Sequence, residues 1–160
     1  MSCSPVGGST VVKKISLFNL LIASAFIVMC NLAVAGEPQI FGDYTVHYNA
    51  FNTDTLQPAM AEAYNIVRSK NRGMITISVM KKNAKAINEP VRANVTASAS
   101  NLTGQFRKFN VREVDEGNSI YYLSEFHVAH EEMLNFSLQI LPEGSVKPIT
   151  VEFRQKFYTQ

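Results

Sequence analysis

Leu134-Asn135-Phe136-Ser137-Leu138-Gln139-Ile140 alternates apolar and polar side chains without interruption and stops at Pro142-Glu143-Gly144. Successive side chains of an extended chain point to opposite faces, so this stretch is a strand with one buried and one polar side. The same period recurs on both sides of it. Downstream, Ile149, Val151 and Phe153 alternate with Thr150, Glu152 and Arg154. Upstream, the aromatic run Ile120 to Val128 follows the turn signal Asp115-Glu116-Gly117-Asn118.

Earlier strands follow the same rule. Phe106 to Val114 reads as one strand of weaker pattern, and Val91, Ala93, Val95, Ala97 and Ala99 point inward opposite Arg92, Asn94, Thr96 and Ser98. The small inward residues imply a close neighbour. Ile75, Ile77 and Val79 form another strand, as do Tyr44, Val46 and Tyr48, whose other face carries Thr45, His47 and Asn49. Between these two, Pro58 followed by Ala59-Met60-Ala61-Glu62-Ala63 predicts a short helix from Gln57 to Tyr64. Arg68 to Gly73 reads as a basic turn and Lys81 to Pro90 as a loop. About seven strands separated by turn signals predict an all-β, immunoglobulin-like antiparallel β-sandwich with one short helix after the first strand. A barrel is the competitor, and strand number and length favour the sandwich.

The amino terminus obeys a different grammar. Lys13 and Lys14 precede the apolar run Ile15 to Met29, which ends in Ala33-Val34-Ala35. That is the anatomy of a Sec-type signal peptide over residues 1–35, with cleavage expected before Gly36 and a β-sandwich domain over residues 36–160. A retained transmembrane anchor would need roughly 20 unbroken apolar residues, whereas Asn19, Ser24 and Asn31 interrupt this run. A lipoprotein reading through Cys30 is disfavoured by Val28-Met29, because a small pair is wanted there.

Cleavage changes the bulk properties. The full chain of 160 residues carries a formal charge of +2, but residues 1–35 hold two lysines and no acids, leaving 13 basic against 13 acidic side chains. The expected mature charge is zero, which gives no argument for nucleic acid. Cys3 and Cys30 also fall in the signal, so no disulfide, thiolate ligand or cysteine nucleophile is expected afterwards. The remaining 125 residues are enough to bury an ordinary core without one.

Gly42-Asp43-Tyr44-Thr45-Val46-His47-Tyr48-Asn49-Ala50-Phe51-Asn52, then Leu56-Gln57-Pro58 and Tyr64-Asn65-Ile66-Val67-Arg68-Ser69-Lys70-Asn71-Arg72-Gly73, resemble domain-of-unknown-function family 4426, small secreted proteins of Gram-negative bacteria. The resemblance extends through Val151-Glu152-Phe153-Arg154-Gln155-Lys156-Phe157-Tyr158. It implies a periplasmic location and brings no catalytic residues.

Three groups of residues are candidates for chemistry. His127-Val128-Ala129-His130-Glu131-Glu132-Met133 offers imidazole, carboxylate and thioether, so His127, His130 and Met133 form a candidate copper or zinc site, with His47 as a distant fourth ligand. Residues three apart on a strand face opposite ways, so the two histidines converge only if a turn begins near Val128. The alternative is a polar hairpin loop with two solvated histidines. Arg68, Lys70 and Arg72 could receive a carboxylate, a phosphate or lipopolysaccharide, or simply keep a sheet end soluble. Tyr121, opposite Ile120 and Tyr122, is a candidate for exposure and binding.

The catalytic signals are missing. No Gly-x-Ser-x-Gly turn presents a serine, and no glycine loop suits a phosphate. The expectation is therefore a non-enzymatic, exported binding or assembly module without a cofactor, whose partner is an envelope protein or cell-surface component, and which keeps no stable membrane span after cleavage. A periplasmic metal-binding protein is the alternative.

Overall fold

A computed structural model of the chain describes residues 37–160. The expected signal peptide with its cleavage point before Gly36, and both cysteines, lie outside the described residues. Among the described residues there are ten strands: β1 (Gln39–Phe41), β2 (Tyr44–Asn52), β3 (Arg72–Lys82), β4 (Asn88–Pro90), β5 (Ala93–Asn101), β6 (Phe106–Phe109), β7 (Arg112–Asp115), β8 (Ile120–His127), β9 (Glu132–Pro142) and β10 (Ile149–Phe157). A 3-10 turn, Thr53–Thr55, and one helix, α1 (Pro58–Ala63), lie between β2 and β3.

The strands form two sheets. The first runs β1-β2-β3-β8-β7, with β4 also paired to β3, and the second runs β10-β9-β5-β6. With β1 and β4 set aside, β2-β3-β8-β7 against β10-β9-β5-β6 is the strand order of an immunoglobulin-type sandwich. Among the described residues no ladder joins the two sheets, so the structure is a sandwich and not a barrel.

The alternation seen in the sequence is the packing of this core. Val46, Ile75, Ile77 and Val79 from the first sheet meet Leu134, Phe136, Leu138, Ile140 and Val151 from the second, all buried. Five rings form its centre: Phe136 stacks on Phe153 at 4.7 Å, and Phe109, Phe126 and Phe157 lie within 6.3 Å of it. Such ring pairs add about 0.5–1.5 kcal/mol each beyond the area they bury. Ala97 and Ala99 are buried and small because Ala99 sits in register beside Phe136.

Two expectations need correction. The single strand expected over Phe106 to Val114 is two: Phe109 pairs with Ala97 in the second sheet, whereas Arg112 pairs with Leu123 in the first. Asn110 and Val111 carry the chain between sheets, and the buried face changes as it crosses, which weakens the alternation. The expected loop Lys81 to Pro90 holds the end of β3 and the short β4, whose mostly exposed side chains leave no apolar period.

Candidate functional site

The helix after β2 helps form an apolar cleft on the first sheet. Pro58 opens α1 at its first position, where a missing N–H costs nothing. Asn65, with φ of 53°, then reverses the chain. Its N–H donates to Glu62 O at 3.1 Å and the Ile66 N–H donates to Ala61 O at 2.7 Å, the paired bonds of a Schellman close. That close carries its usual hydrophobic contact, because Ile66 and Ala61 are both buried in one cluster with Met74.

The surface beneath α1 is the outer face of the first sheet. Phe51 stands opposite Met74 and Thr76 opposite Leu123, and all four point away from the sandwich core, as does Tyr121. Between this floor and the helix segment lies an apolar cleft of about 250 Å³, lined by Phe51, Leu56, Met60, Tyr64, Ile66, Met74, Thr76, Tyr121 and Leu123. Met60 is 50% exposed at its mouth, whereas Met74 is buried.

The rim is polar and tethered from β7. Arg112 donates to Tyr64 O at 2.7 Å, and the Tyr64 hydroxyl bonds the Glu116 carboxylate. That bond raises the Tyr64 phenol above its ordinary pKa. The other end is tied down by Thr53, fully buried, whose hydroxyl donates to Val67 O at 2.9 Å and accepts the Ser69 N–H at 3.0 Å.

Tyr121 is therefore on the face that alternation gives it, but half-buried, because α1 lies over that face. The basic trio is held by different partners. Arg68 donates to Asp54 O at 2.7 Å, Arg72 is already in β3 and pairs with Glu125 at 3.5 Å, and Lys70 is exposed while its carbonyl accepts the Asn52 side chain at 2.7 Å.

The histidine segment does turn where the alternation fails. Glu131 has φ of 56°, and Ala129 N–H donates to Glu132 Oε2 at 2.9 Å. Its carboxylates are engaged: Glu132 pairs with Arg107, which also donates to His127 O at 2.8 Å, and Glu131 pairs with Lys156 at 3.3 Å. His127 and His130 are exposed and Met133 is half-buried; His130 Nδ1 accepts the Thr159 N–H at 3.3 Å. His47 is not part of this group. The pairing of β2 with β3 and β3 with β8 leaves it six residues along the sheet from His127, about 20 Å at the rise of a strand. Among the described residues no three His, Asp, Glu or Cys side chains gather to hold a metal.

A second cleft, of about 600 Å³, opens at Arg92, Glu113, Tyr122 and Pro142. Arg92 pairs there with Glu113 at 2.8 Å and with Asp115. The Tyr122 hydroxyl accepts the Ala93 N–H at 2.7 Å and donates to Glu113 at 3.1 Å. Burial, then the neighbouring Glu113 carboxylate, raise the Tyr122 phenol above its ordinary pKa. It stays neutral at physiological pH and works as a structural bridge.

With this geometry established, the family model for a domain of unknown function, DUF4426, matches residues 38–160. The chain belongs to the DUF4426 family. The resemblance drawn from the β2 and post-helix segments is thereby borne out. A DUF4426 protein from Pseudomonas aeruginosa, solved by crystallography, is 37% identical, with a TM-score of 0.66 over 78% of this chain and 95% of its own. A copper-bound variant of FetP from uropathogenic Escherichia coli is 12% identical, with a TM-score of 0.57 over 79% of this chain and 97% of its own. FetP as isolated, recombinantly expressed in the E. coli periplasm, is 12% identical, with a TM-score of 0.55 over 79% and 95%. At that identity the FetP likeness extends to fold alone. Comparison with curated proteins gave no match.

The cleft is what the sequence left unmarked in this DUF4426 chain. Leu56, Met60, Ile66 and Met74 are unremarkable apolar residues there. One signal was available: Phe51, Met74 and Leu123 put large apolar groups on positions where the alternation calls for polar ones. Among the described residues no helix is long and apolar enough to cross a membrane.

Proposed function

We propose that this DUF4426 protein is an exported, periplasmic, non-enzymatic module that takes an apolar group of an envelope protein into the cleft between α1 and the first sheet. The cleft is the observation that carries the reading. A sheet that needed only solubility would keep this face polar, yet Phe51, Met74, Tyr121 and Leu123 line a concave apolar surface there. Its volume suits one large side chain, the kind of anchor that supplies most of the energy at a small interface. The amino-terminal signal pattern supports the address, as does the periplasmic expression of the fold relative FetP.

The test is site-specific photo-cross-linking in cells. A photoreactive residue at Met60 or Tyr121 should give a discrete adduct with an envelope protein, and Met60→Glu should reduce the Tyr121 adduct at least tenfold. A probe at Leu102, exposed in the β5–β6 turn, is the control. No adduct at either cleft position, or an equal one at Leu102, ends the proposal.

Copper or zinc binding is the second reading, supported by the copper-bound FetP relative and by two imidazoles and a thioether on one turn. This turn supplies His127, His130 and Met133, while Arg107 and Lys156 hold its carboxylates. Calorimetric titration should accordingly give no copper(II) or zinc site tighter than about micromolar. A tighter site that a His127→Ala, His130→Ala double variant abolishes would instead establish this second reading.

A further inference from the structure

Sheet edges are the places where a β protein can recruit another chain, because unpaired N–H and C=O groups form a ready template. Among the described residues, four of the five strands that pair on one side only are short: β1 and β4 have three residues each, and β6 and β7 have four each. The stretch of β2 beyond β1 is bridged at its end to the carboxy terminus by Asn52, which donates to Tyr158 O at 3.0 Å. The fifth is β10, nine residues long and paired only with β9.

An edge strand meeting a second copy of itself must do so antiparallel about a two-fold axis, since the same patch serves both chains. Such a pairing has one free variable, the residue beside the axis. Placing the axis at Phe153 sets Glu152 against Arg154 of the second copy and Arg154 against its Glu152. Thr150 then meets Lys156, and on the inner face Ile149 meets Phe157 and Val151 meets Gln155. The two-fold axis thus makes the Glu152–Arg154 contact twice. Slipping the axis to Glu152 puts that carboxylate against itself, and slipping it to Arg154 does the same to the guanidinium.

Directly opposed like charges destabilise an antiparallel pair, whereas opposite charges favour it. The charges of β10 therefore favour the Phe153 axis over its two neighbours at Glu152 and Arg154. Glu152 and Arg154 are both exposed, and neither takes part in an ion pair among the described residues. We propose that β10 is a self-pairing edge, through which two copies join their second sheets into one continuous eight-stranded sheet centred on Phe153. The proposal is independent of the cleft, which lies on the other sheet.

The test is sedimentation equilibrium of the protein expressed with its own leader and purified after export. Wild type should be a dimer at micromolar concentration. Glu152→Arg and Arg154→Glu should each weaken dimerisation by roughly tenfold or more, because each opposes like charges twice. Both side chains are at the surface, so circular dichroism should be unchanged. Mixing the two variants should restore assembly as a heterodimer, and the double variant Glu152→Arg, Arg154→Glu should dimerise like wild type. A wild-type protein that stays monomeric, single variants that dimerise normally, or a mixture that fails to associate would each overturn the proposal.

Discussion

Gly73→Ala should lower the melting temperature by about 10 °C, the effect of roughly 3 kcal/mol on a domain of this size. Gly73 lies in β3 directly opposite Phe126 of β8. A Cβ added there would come within 2.4 Å of one Phe126 ring carbon and 2.7 Å of another, and 3.1 Å from a Val128 methyl. A ring at the surface could swing aside. This one cannot, since Phe109 stacks on it at 4.7 Å and Phe136 and Phe157 close on it at 5.6 Å. The strand must move instead, and the overpacked core loses stability. Thermal unfolding of Gly73→Ala, alone and with Phe126→Leu, checks the cause: the smaller side chain should recover part of the loss. A single variant as stable as wild type would mean that the ring is not confined.

Phe136→Ala should be more severe, at about 4 kcal/mol, because it removes the ring that four others pack against and leaves a cavity that rigid sheets cannot close. Phe136 is 2% exposed, lies on the central strand β9, and contacts rings from β6, β8 and β10. Domains hold roughly 5–15 kcal/mol in total, so this one change takes a large share of it. Phe106→Ala is the matched control: that ring is 70% exposed, and its loss should stay within about 0.5 kcal/mol. Chemical denaturation of both variants gives the comparison. Similar midpoints for the two would contradict the assignment of Phe136 as the centre of the core.

The sites were less legible than the core, and particular residues say why. Alternation placed Tyr121 on the outer face correctly, but a strand period does not reveal that α1 folds back over that face and half-buries it. Arg68, Lys70 and Arg72 look like one patch when counted along the chain. In the fold, Thr53 pins the intervening loop, Arg68 turns to Asp54 and Arg72 enters β3 and pairs with Glu125, partners that counting along the chain does not reveal. The histidine turn was readable because the alternation stops there, whereas the pairing of its carboxylates with Arg107 and Lys156 depends on strands 25 residues away.

Local repetition along the chain was sufficient to establish strands, their buried faces, the helix after β2 and the sandwich class, because a period of two is written residue by residue. The strand order at Asn110-Val111, where the chain changes sheet, and the apolar cleft under α1 were settled only by tertiary packing. Both arise when segments far apart in sequence compete for the same apolar surface, and no single segment records which of them wins.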